Sequence, residues 1–284
     1  MPAATPPVLW TGILLKLGVE DGEPVRYRLR DAGTGGGERA ADQALTPHVG
    51  VEVRLRFLGE IRCTLCGRAT KSTYGDGYCF PCSQTRAEAD LCIVRPELCH
   101  HGNPEHPCRD EAFAQAQCFQ PHVLYVSLTS GLKVGITRLA NVPSRWIDQG
   151  AAAAAPVALL PDRRTVGLLE KRLSDEGFAD KTHWTRMLRG DPPVDELEPH
   201  VARVAALLES WGVATLPPAE RAVRRFRYPV AAWPQKVSSL SLDKSPDVGG
   251  ILQGIKGQYL MFGDSVINLR KHAGYRVEVR SALA

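Results

Sequence analysis

The sequence of 284 residues has little of several features that would define a class of protein at once. No apolar run approaches the roughly 18 residues needed to span a bilayer, and the longest candidate, residues 150–160, is mostly alanine. The first residues have neither a basic start nor an apolar stretch, so no signal peptide is expected. Hydrophobic residues at 44% and charged residues at 23% exclude wholesale disorder. We therefore expect a cytoplasmic protein without a membrane partner.

Neither sign of charge predominates, because the sequence has 35 Lys and Arg and 31 Asp and Glu, which leaves a net charge of +4. This balance neither requires nor excludes a nucleic-acid partner. The cations are mostly arginine, and the planar guanidinium of residues such as Arg221, Arg224 and Arg225 suits phosphate. The alternative is an ordinary solvated surface.

Cysteine is absent outside residues 63–118, and all eight cysteines lie within that range. The first four form two CxxC pairs, Cys63 with Cys66 and Cys79 with Cys82, separated by 12 residues. Two residues between thiolates allow a tight turn to direct both sulfurs at one ion, and two such turns complete the tetrahedron that a structural zinc takes. Gly67 follows the first pair, where such a turn needs a residue that tolerates positive φ. We predict a zinc site here rather than redox pairs or incidental cysteines.

The remaining cysteines form a looser group with spacings of 7, 9 and 10 residues, which fit no standard zinc motif. Three alternatives stay open for them. A second zinc site is the first, with a histidine replacing one cysteine if needed, and an iron–sulfur cluster is the second, because it also accepts four thiolates. The third is a set of buried or free thiols. The group comprises Cys92, Cys99, Cys108 and Cys118, with His100, His101, His106 and His122 nearby.

Alternating apolar and polar residues indicate strands near both ends of the chain, as in Val25–Leu29, Val51–Phe57 and Tyr275–Val279. Gly33–Gly37 is a loop, and glycine-punctuated strands are expected over 248–262 and 265–269. We expect a segment at 1–60 to pair with the C-terminal part of 216–284 as one small β-barrel. A cysteine-rich zinc segment at 61–120 and an α+β domain at 121–215 are then inserted between them.

The segment 121–215 shows both the period of two that is typical of strands and the period of 3.6 that is typical of helices. Two short apolar runs flank Gly131 and predict a β-hairpin. Helix and strand patterns follow in alternation, with a longer amphipathic helix at the end. In chain order these are strands over His122–Ser127 and Leu132–Thr137, a helix over Ser144–Gln149, a strand over Ala153–Leu160, and helices over Thr165–Leu173 and Val194–Trp211.

The polar residues of this segment follow an order that resembles the GIY-YIG nuclease superfamily. Tyr125 on the first strand, Gly135 ending the second, Arg145 on the first helix and Glu170 on the second form the ordered set. The resemblance covers about residues 122–190 and implies a small antiparallel sheet flanked by helices, an α+β fold. Val123 stands where the superfamily has its first glycine, and Lys133 replaces its second tyrosine.

The resemblance implies a magnesium-dependent endonuclease. Glu170 would hold Mg²⁺, a hard cation that prefers carboxylate oxygen and water. Arg145 would bind phosphate with its guanidinium fork. Tyr125 would position or deprotonate the attacking water, and Lys133 would lower the pKa of that tyrosine or contact phosphate. The alternatives are a half-buried strand tyrosine, a structural ion pair between Arg145 and Glu170, and a solvated lysine.

A second likeness spans most of the chain. The cysteine segment 63–118, with Lys133–Arg138, Arg145–Ala151, Asp180–Trp184 and Gly254–Tyr259, is similar to the bacterial family called domain of unknown function 2797. This family supplies no established activity, so the function depends on the site.

Three functions are therefore weighed. The first is a zinc-bearing nuclease that acts on DNA or RNA, and the second is a nucleic-acid-binding module of the same fold that has lost catalysis. The third is an interaction protein that zinc merely stabilises. The candidate nucleic-acid contacts are Arg138, Trp184, Arg221, Arg224 and Arg225.

Overall fold

The protein is described here by a computed structural model that covers residues 5–34, 39–101, 105, 107–179, 181–192 and 197–284. The fold is α+β, as predicted, with several small antiparallel sheets. The chain divides into two compact units. Unit 1 consists of Met1–Gln84 and Arg227–Ala284, and unit 2 consists of Thr85–Phe226. The division into four segments by sequence stays a prediction.

Fifteen strands are present in the described residues, and most are short. In chain order they are β1 (Val8–Ile13), β2 (Gly18–Glu20), β3 (Arg26–Leu29), β4 (Gln43–Ala44), β5 (Glu52–Ile61), β6 (His122–Leu128), β7 (Leu132–Arg138), β8 (Ala153–Leu160), β9 (Arg224–Arg225), β10 (Ser238–Ser239), β11 (Asp247–Ile251), β12 (Gly254–Lys256), β13 (Tyr259–Phe262), β14 (Ser265–Asn268) and β15 (Tyr275–Ser281).

The helices are fewer and concentrate in unit 2. They are α1 (Phe80–Thr85), α2 (Glu111–Phe113), α3 (Ser144–Asp148), α4 (Arg163–Asp175), α5 (Trp184–Met187) and α6 (Leu197–Ser210). Short 3₁₀ turns include Ala87–Ala89, Leu91–Ile93 and Pro96–Leu98, and a π-turn covers Ala114–Cys118. Across the described ranges, none of the helices combines the length and the apolar character that crossing a bilayer requires.

Strands from both ends of the chain share one sheet of unit 1. Its order is β1-β15-β5-β11, and every pair in it is antiparallel. Every second side chain of β15 is buried, starting at Tyr275, so the alternation in the sequence does mark the face that packs on the core. Val277 and Val279 of β15 and Leu55 of β5 are fully buried in this core.

This sheet is open, so the predicted closed β-barrel is wrong. Among the described residues, its edge strands β1 and β11 do not pair with each other, and β12, β13 and β14 form a separate sheet with β10. The reason is local. Gly257 at φ +59° and Gly263 at φ +63° each begin a two-residue turn, and such short loops close at a lower entropic cost than long-range pairing. The first of these turns separates β12 from β13 and the second separates β13 from β14, while β11 ends at Ile251 and two residues separate it from β12.

Unit 2 is built on a sheet of order β7-β6-β8-β9, in which all pairs are antiparallel. The predicted hairpin is confirmed as β6 and β7. Leu124 and Val126 of β6 belong to a core formed with α4 and α6, which include Leu173 and Val204. Tyr125 points to the opposite face of β6, because side chains alternate along a strand.

The predicted helices and third strand of this unit are confirmed within a few residues. Helix α4 begins after Asp162, whose carboxylate accepts hydrogen bonds from Thr165 N at 2.8 Å and Thr165 Oγ1 at 2.7 Å. Strand β8 has the predicted bounds. The predicted positions that lie outside the described residues are 35–37, His106, Asp180 and 194–196.

Candidate functional site

The first four cysteines bring their sulfur atoms together in unit 1. All four Sγ atoms lie within 4.8 Å of one another, and Cys66 Sγ is 3.7 Å from Cys79 Sγ. A zinc ion with Zn–S bonds of about 2.3 Å separates its thiolates by about 3.8 Å, the edge of the tetrahedron. Cys63, Cys79 and Cys82 are buried and Cys66 is exposed. The predicted four-cysteine cluster is confirmed, and it could hold a metal ion such as zinc.

Each CxxC pair is held by backbone hydrogen bonds. In the first turn, Gly67 has φ +72° and donates its N–H to Cys63 O at 3.0 Å. Cys63 in turn donates its N–H to Arg68 O at 2.9 Å. The second pair begins helix α1, where Ser83 donates to Cys79 O at 2.9 Å. Because a left-handed φ favours glycine, Gly67 is the residue that this turn requires.

The electrostatics of this cluster suit a cation. Burial raises the pKa of the Cys63 thiol, but the backbone N–H groups of Cys66, Cys79 and Leu65 outweigh burial and lower it to about 6. Burial, reinforced by the neighbouring thiols, raises the pKa of Cys82 to about 12. Thiolates crowded in this way repel one another, and a divalent ion would relieve the repulsion while displacing the remaining protons.

The loop between the two CxxC pairs is anchored to the rest of unit 1. Arg270 binds Asp76 through two contacts, Nε to Oδ1 at 2.5 Å and Nη2 to Oδ2 at 3.0 Å. Thr64 Oγ1 donates to Asp76 O at 3.0 Å. The cluster is therefore fixed to the strand region of unit 1 by a forked ion pair as well as by its own turns.

The other four cysteines line one cavity of unit 2, with a volume of about 20 Å³. Among the described residues, no second set of three Cys, His, Asp or Glu side chains has its ligand atoms within 4.8 Å of one another. These thiols are therefore spaced more widely than those of the first cluster. The four are Cys92, Cys99, Cys108 and Cys118, and His100 and His101 line the same cavity.

The thiols of this cavity are close enough to influence one another. Burial, then the Asp90 carboxylate, then Cys99 and Cys118 raise the pKa of Cys92 to about 12. Burial also raises the pKa of Cys118. The neighbouring Cys99 and Cys108 raise this pKa further, while the Arg163 cation lowers it.

Tyr125 forms the centre of a polar cluster in the same unit. Its side chain is fully buried, and its hydroxyl donates to Gln149 Oε1 at 2.7 Å. Gly135 lies directly opposite on β7, where a Cβ would stand 2.5 Å from the hydroxyl. The glycine of the second triplet is therefore required by the close approach of the tyrosine ring.

Arg145 on α3 and Glu170 on α4 both act electrostatically on this hydroxyl. Burial raises the pKa of Tyr125 to about 12. Arg145 opposes this shift, both as a cation and as a hydrogen-bond donor to the hydroxyl oxygen, whereas the Glu170 carboxylate raises the pKa further. Both charged side chains are partly exposed, whereas the tyrosine is not. The structure thus brings three of the four predicted catalytic residues together.

Lys133 lies on the same face of the sheet. It is opposite Ser127 on β6, two positions from the Tyr125–Gly135 pair, and opposed residues of an antiparallel pair project to one side. Only 4% of Lys133 is exposed, so it is not a solvated strand lysine.

The predicted nucleic-acid contacts are distributed over the unit. Arg138 ends β7, and Arg224 and Arg225 form β9, so they lie at opposite edges of one sheet. Arg225 pairs with Glu198 at 3.1 Å. The other two, Arg221 and Trp184, are half-buried.

Sequence reasoning missed Arg163 and gave Gln149 no role. Burial lowers the pKa of Arg163, and its electrostatic neighbours are Cys118, Cys92, Glu170 and Arg145. This arginine therefore lies between the cysteine cavity and the polar cluster. The only indication of Arg163 in the sequence is its position as the first residue of α4. That position does not predict that it lies near the cysteine cavity or the polar cluster. Gln149 follows Arg145 by one helical turn, which is a signal that could have been used.

The fold and these sites define an α+β protein with a four-cysteine candidate metal centre. Residues 50–277 match the family described as "Protein of unknown function (DUF2797)", and the chain belongs to that family. Comparisons with curated proteins and with solved structures return no match. The resemblance to GIY-YIG nucleases therefore stays a hypothesis.

Proposed function

We propose that this protein is a zinc-containing, nucleic-acid-associated phosphodiesterase whose reaction site lies in unit 2. The observation that carries the proposal is that the Tyr125 hydroxyl of β6 lies within the electrostatic influence of both Arg145 from α3 and Glu170 from α4, with Arg145 also hydrogen-bonding to it. Opposite charges and a phenol gathered from three elements form a set that can bind a phosphodiester and hold a cation beside it.

The arrangement of the elements supports the same proposal. Strand β6 is central in the sheet, β7 and β8 flank it in antiparallel pairing, and α3 and α4 follow β7 and β8 along the chain. This agrees with the three-stranded sheet and the two helices that the resemblance to GIY-YIG nucleases implies.

The chemistry assigned to each residue follows from its surroundings. Arg145 offers a planar fork to two phosphoryl oxygens, and Gln149 fixes the direction of the Tyr125 hydroxyl. Glu170 would hold Mg²⁺, and one carboxylate fits this ion because proteins bind it through one or two carboxylates with waters and phosphate. When bound, the ion would neutralise phosphoryl charge and activate water.

One observation favours the second candidate, a binding module without catalysis. Tyr125 is fully buried, and with a pKa of about 12 its hydroxyl is protonated at neutral pH. A buried phenol in this state, which donates its proton to Gln149, is better suited to hold its neighbours in place than to accept a proton from water. The arginines at both sheet edges would still bind a phosphate backbone.

The test is cleavage of single-stranded, duplex and branched DNA and RNA by the zinc-loaded protein, titrated with Mg²⁺. Glu170→Gln keeps the shape of the side chain and should lower the rate by about 100-fold or more. Glu176→Gln, an exposed carboxylate just beyond the same helix, is the matched control and should cleave normally.

The outcomes separate the candidates. Cleavage that Glu170→Gln abolishes supports the phosphodiesterase. Binding that weakens steeply with salt, without cleavage, supports the binding module. Absence of both overturns the proposal and leaves the protein-interaction hypothesis.

A further inference from the structure

The second cysteine group is the largest feature of unit 2 that the proposed function does not use. Four thiols from different turns line one cavity. Cys92 lies in the turn Leu91–Ile93 and Cys99 directly follows the turn Pro96–Leu98, while Cys118 ends the π-turn that follows α2. Four thiols gathered around a common space form a donor set for a thiophilic metal centre.

The spacing of the thiols distinguishes between such centres. A single zinc ion needs its thiolates about 3.8 Å apart, and the first cluster meets this requirement. Among the described residues of the second group, no three ligand atoms lie within 4.8 Å of one another. An iron–sulfur cluster separates its thiolates more widely, because iron and sulfide atoms lie between them.

The cavity lies between the thiols. Its volume of about 20 Å³ is just above the roughly 10–15 Å³ that a cavity needs to hold one water molecule, so the four thiols face a common space and do not close directly on one another.

The walls of the cavity are mainly apolar. They include Ile93, Phe113 and Phe119, and the four cysteines among them are partly buried. Solvent exposure is one of the factors that set the properties of iron–sulfur centres. The ring of His101 packs on Phe119 with centroids 4.2 Å apart, and His100 lies 4.0 Å from the Asp90 carboxylate. The four thiols supply the soft donors that an iron–sulfur centre takes.

Positive charge is present where a thiolate-bound cluster would need it. The Arg163 guanidinium interacts electrostatically with Cys92 and Cys118, and its Nη2 donates to Ile93 O. Arg138 acts on Cys118 as well. Four thiolates around an iron–sulfur core carry net negative charge, which these arginines would offset.

We propose that Cys92, Cys99, Cys108 and Cys118 ligate an iron–sulfur cluster. Each ligand sulfur forms one bond to iron and releases its thiol proton, so four protons leave when iron and inorganic sulfide are supplied as the core. The proposal does not depend on phosphodiester hydrolysis, because it concerns a different set of residues.

The test uses the full chain, produced with added iron and purified without oxygen. Iron, acid-labile sulfide and zinc are measured per chain, together with the visible sulfur-to-iron charge-transfer absorption. We expect equal amounts of iron and sulfide, with one zinc ion. Cys99→Ser/Cys108→Ser should lose iron, sulfide and the visible band but keep zinc. Cys66→Ser, the matched control in the first cluster, should lose zinc and keep the iron.

Two results would overturn the proposal. One is a wild-type protein that contains two zinc ions and takes up no iron or sulfide during anaerobic reconstitution. The other is iron that disappears with Cys66→Ser and survives Cys99→Ser/Cys108→Ser, because the cluster would then belong to the first group. The iron, sulfide and zinc content of the wild-type protein decides whether a cluster is present, even if the double variant does not fold.

Discussion

Gly135→Ala offers a direct test of the packing around Tyr125. The added Cβ would lie 2.5 Å from the tyrosine Oη and 2.6 Å from its Cζ, whereas non-bonded heavy atoms prefer about 3.5 Å or more. The ring must therefore move by about 1 Å. It has little freedom to do so, because it is fully buried and packs on Trp146 with ring centroids 5.7 Å apart.

The expected loss of stability follows from three contributions. Overpacking a tight core costs about 1–3 kcal/mol, and displacing the hydroxyl from Gln149 costs about 1 kcal/mol. Replacing glycine by alanine within a strand returns about 0.5–1 kcal/mol. We expect Gly135→Ala to lower the free energy of unfolding by about 1–3 kcal/mol. Gly131→Ala, which meets no atom within 4 Å, should change it by less than about 0.5 kcal/mol.

Urea unfolding followed by tryptophan fluorescence measures both variants, since Trp146 reports on this region. Tyr125→Phe removes the atom nearest to the added methyl group. The double variant Gly135→Ala/Tyr125→Phe should therefore be more stable than the sum of the single changes by at least about 0.5 kcal/mol. Equal stability of Gly135→Ala and Gly131→Ala, or strict additivity in the double variant, would refute the close contact.

Two further predictions concern unit 1. Removal of metal by a chelator should abolish the amide-exchange protection of residues 62–84, because the buried residues of this apolar cluster are themselves cysteines, with only the partly buried Leu65 and Tyr78 packed against them. Protection that persists would mean that metal is not what holds the paired turns. Tyr275 donates to Asp243 Oδ1 at 2.7 Å, and this bond, which outweighs burial, keeps the pKa of Asp243 below its ordinary value. Tyr275→Phe should therefore cost about 0.5–1 kcal/mol near neutral pH. This cost should disappear as pH falls through the lowered pKa, because protonation removes the charged acceptor in both proteins. The free energy of unfolding of both proteins, measured near neutral pH and again below the lowered pKa of Asp243, checks this prediction. A cost of Tyr275→Phe that does not change with pH would exclude the carboxylate as its source.

The features that could be predicted from sequence are those encoded over short distances along the chain. The two CxxC pairs need only their own turns and a residue such as Gly67, so their spacing was sufficient. Strand β8 and helices α3 and α4 follow from local patterns and from the cap at Asp162. In each case the residues that determine a turn, strand or helix lie within that element or directly beside it in the sequence.

Features that depend on tertiary contacts could not be predicted in the same way. Lys133 has the polarity of an exposed residue, and its burial follows only from the packing of the face that it shares with Tyr125. Closure of a barrel depends on whether two distant edge strands meet, and a period-two pattern carries no information on that. The pairing of β12, β13 and β14 with one another depends instead on turns at Gly257 and Gly263.

The second cysteine group shows why spacing alone left several alternatives open there. A CxxC pair supplies two sulfurs from one turn, whereas Cys92 and Cys99 belong to two separate turns that must first be positioned against each other. One contact that positions them is with α4, where a Cβ on Gly167 would stand 2.1 Å from Pro96 Cβ. The turn 96–98 can approach the helix only because residue 167 has no side chain. The arrangement of these thiols is therefore encoded partly in a glycine about 70 residues further along the chain, and no motif confined to the cysteine segment could contain it.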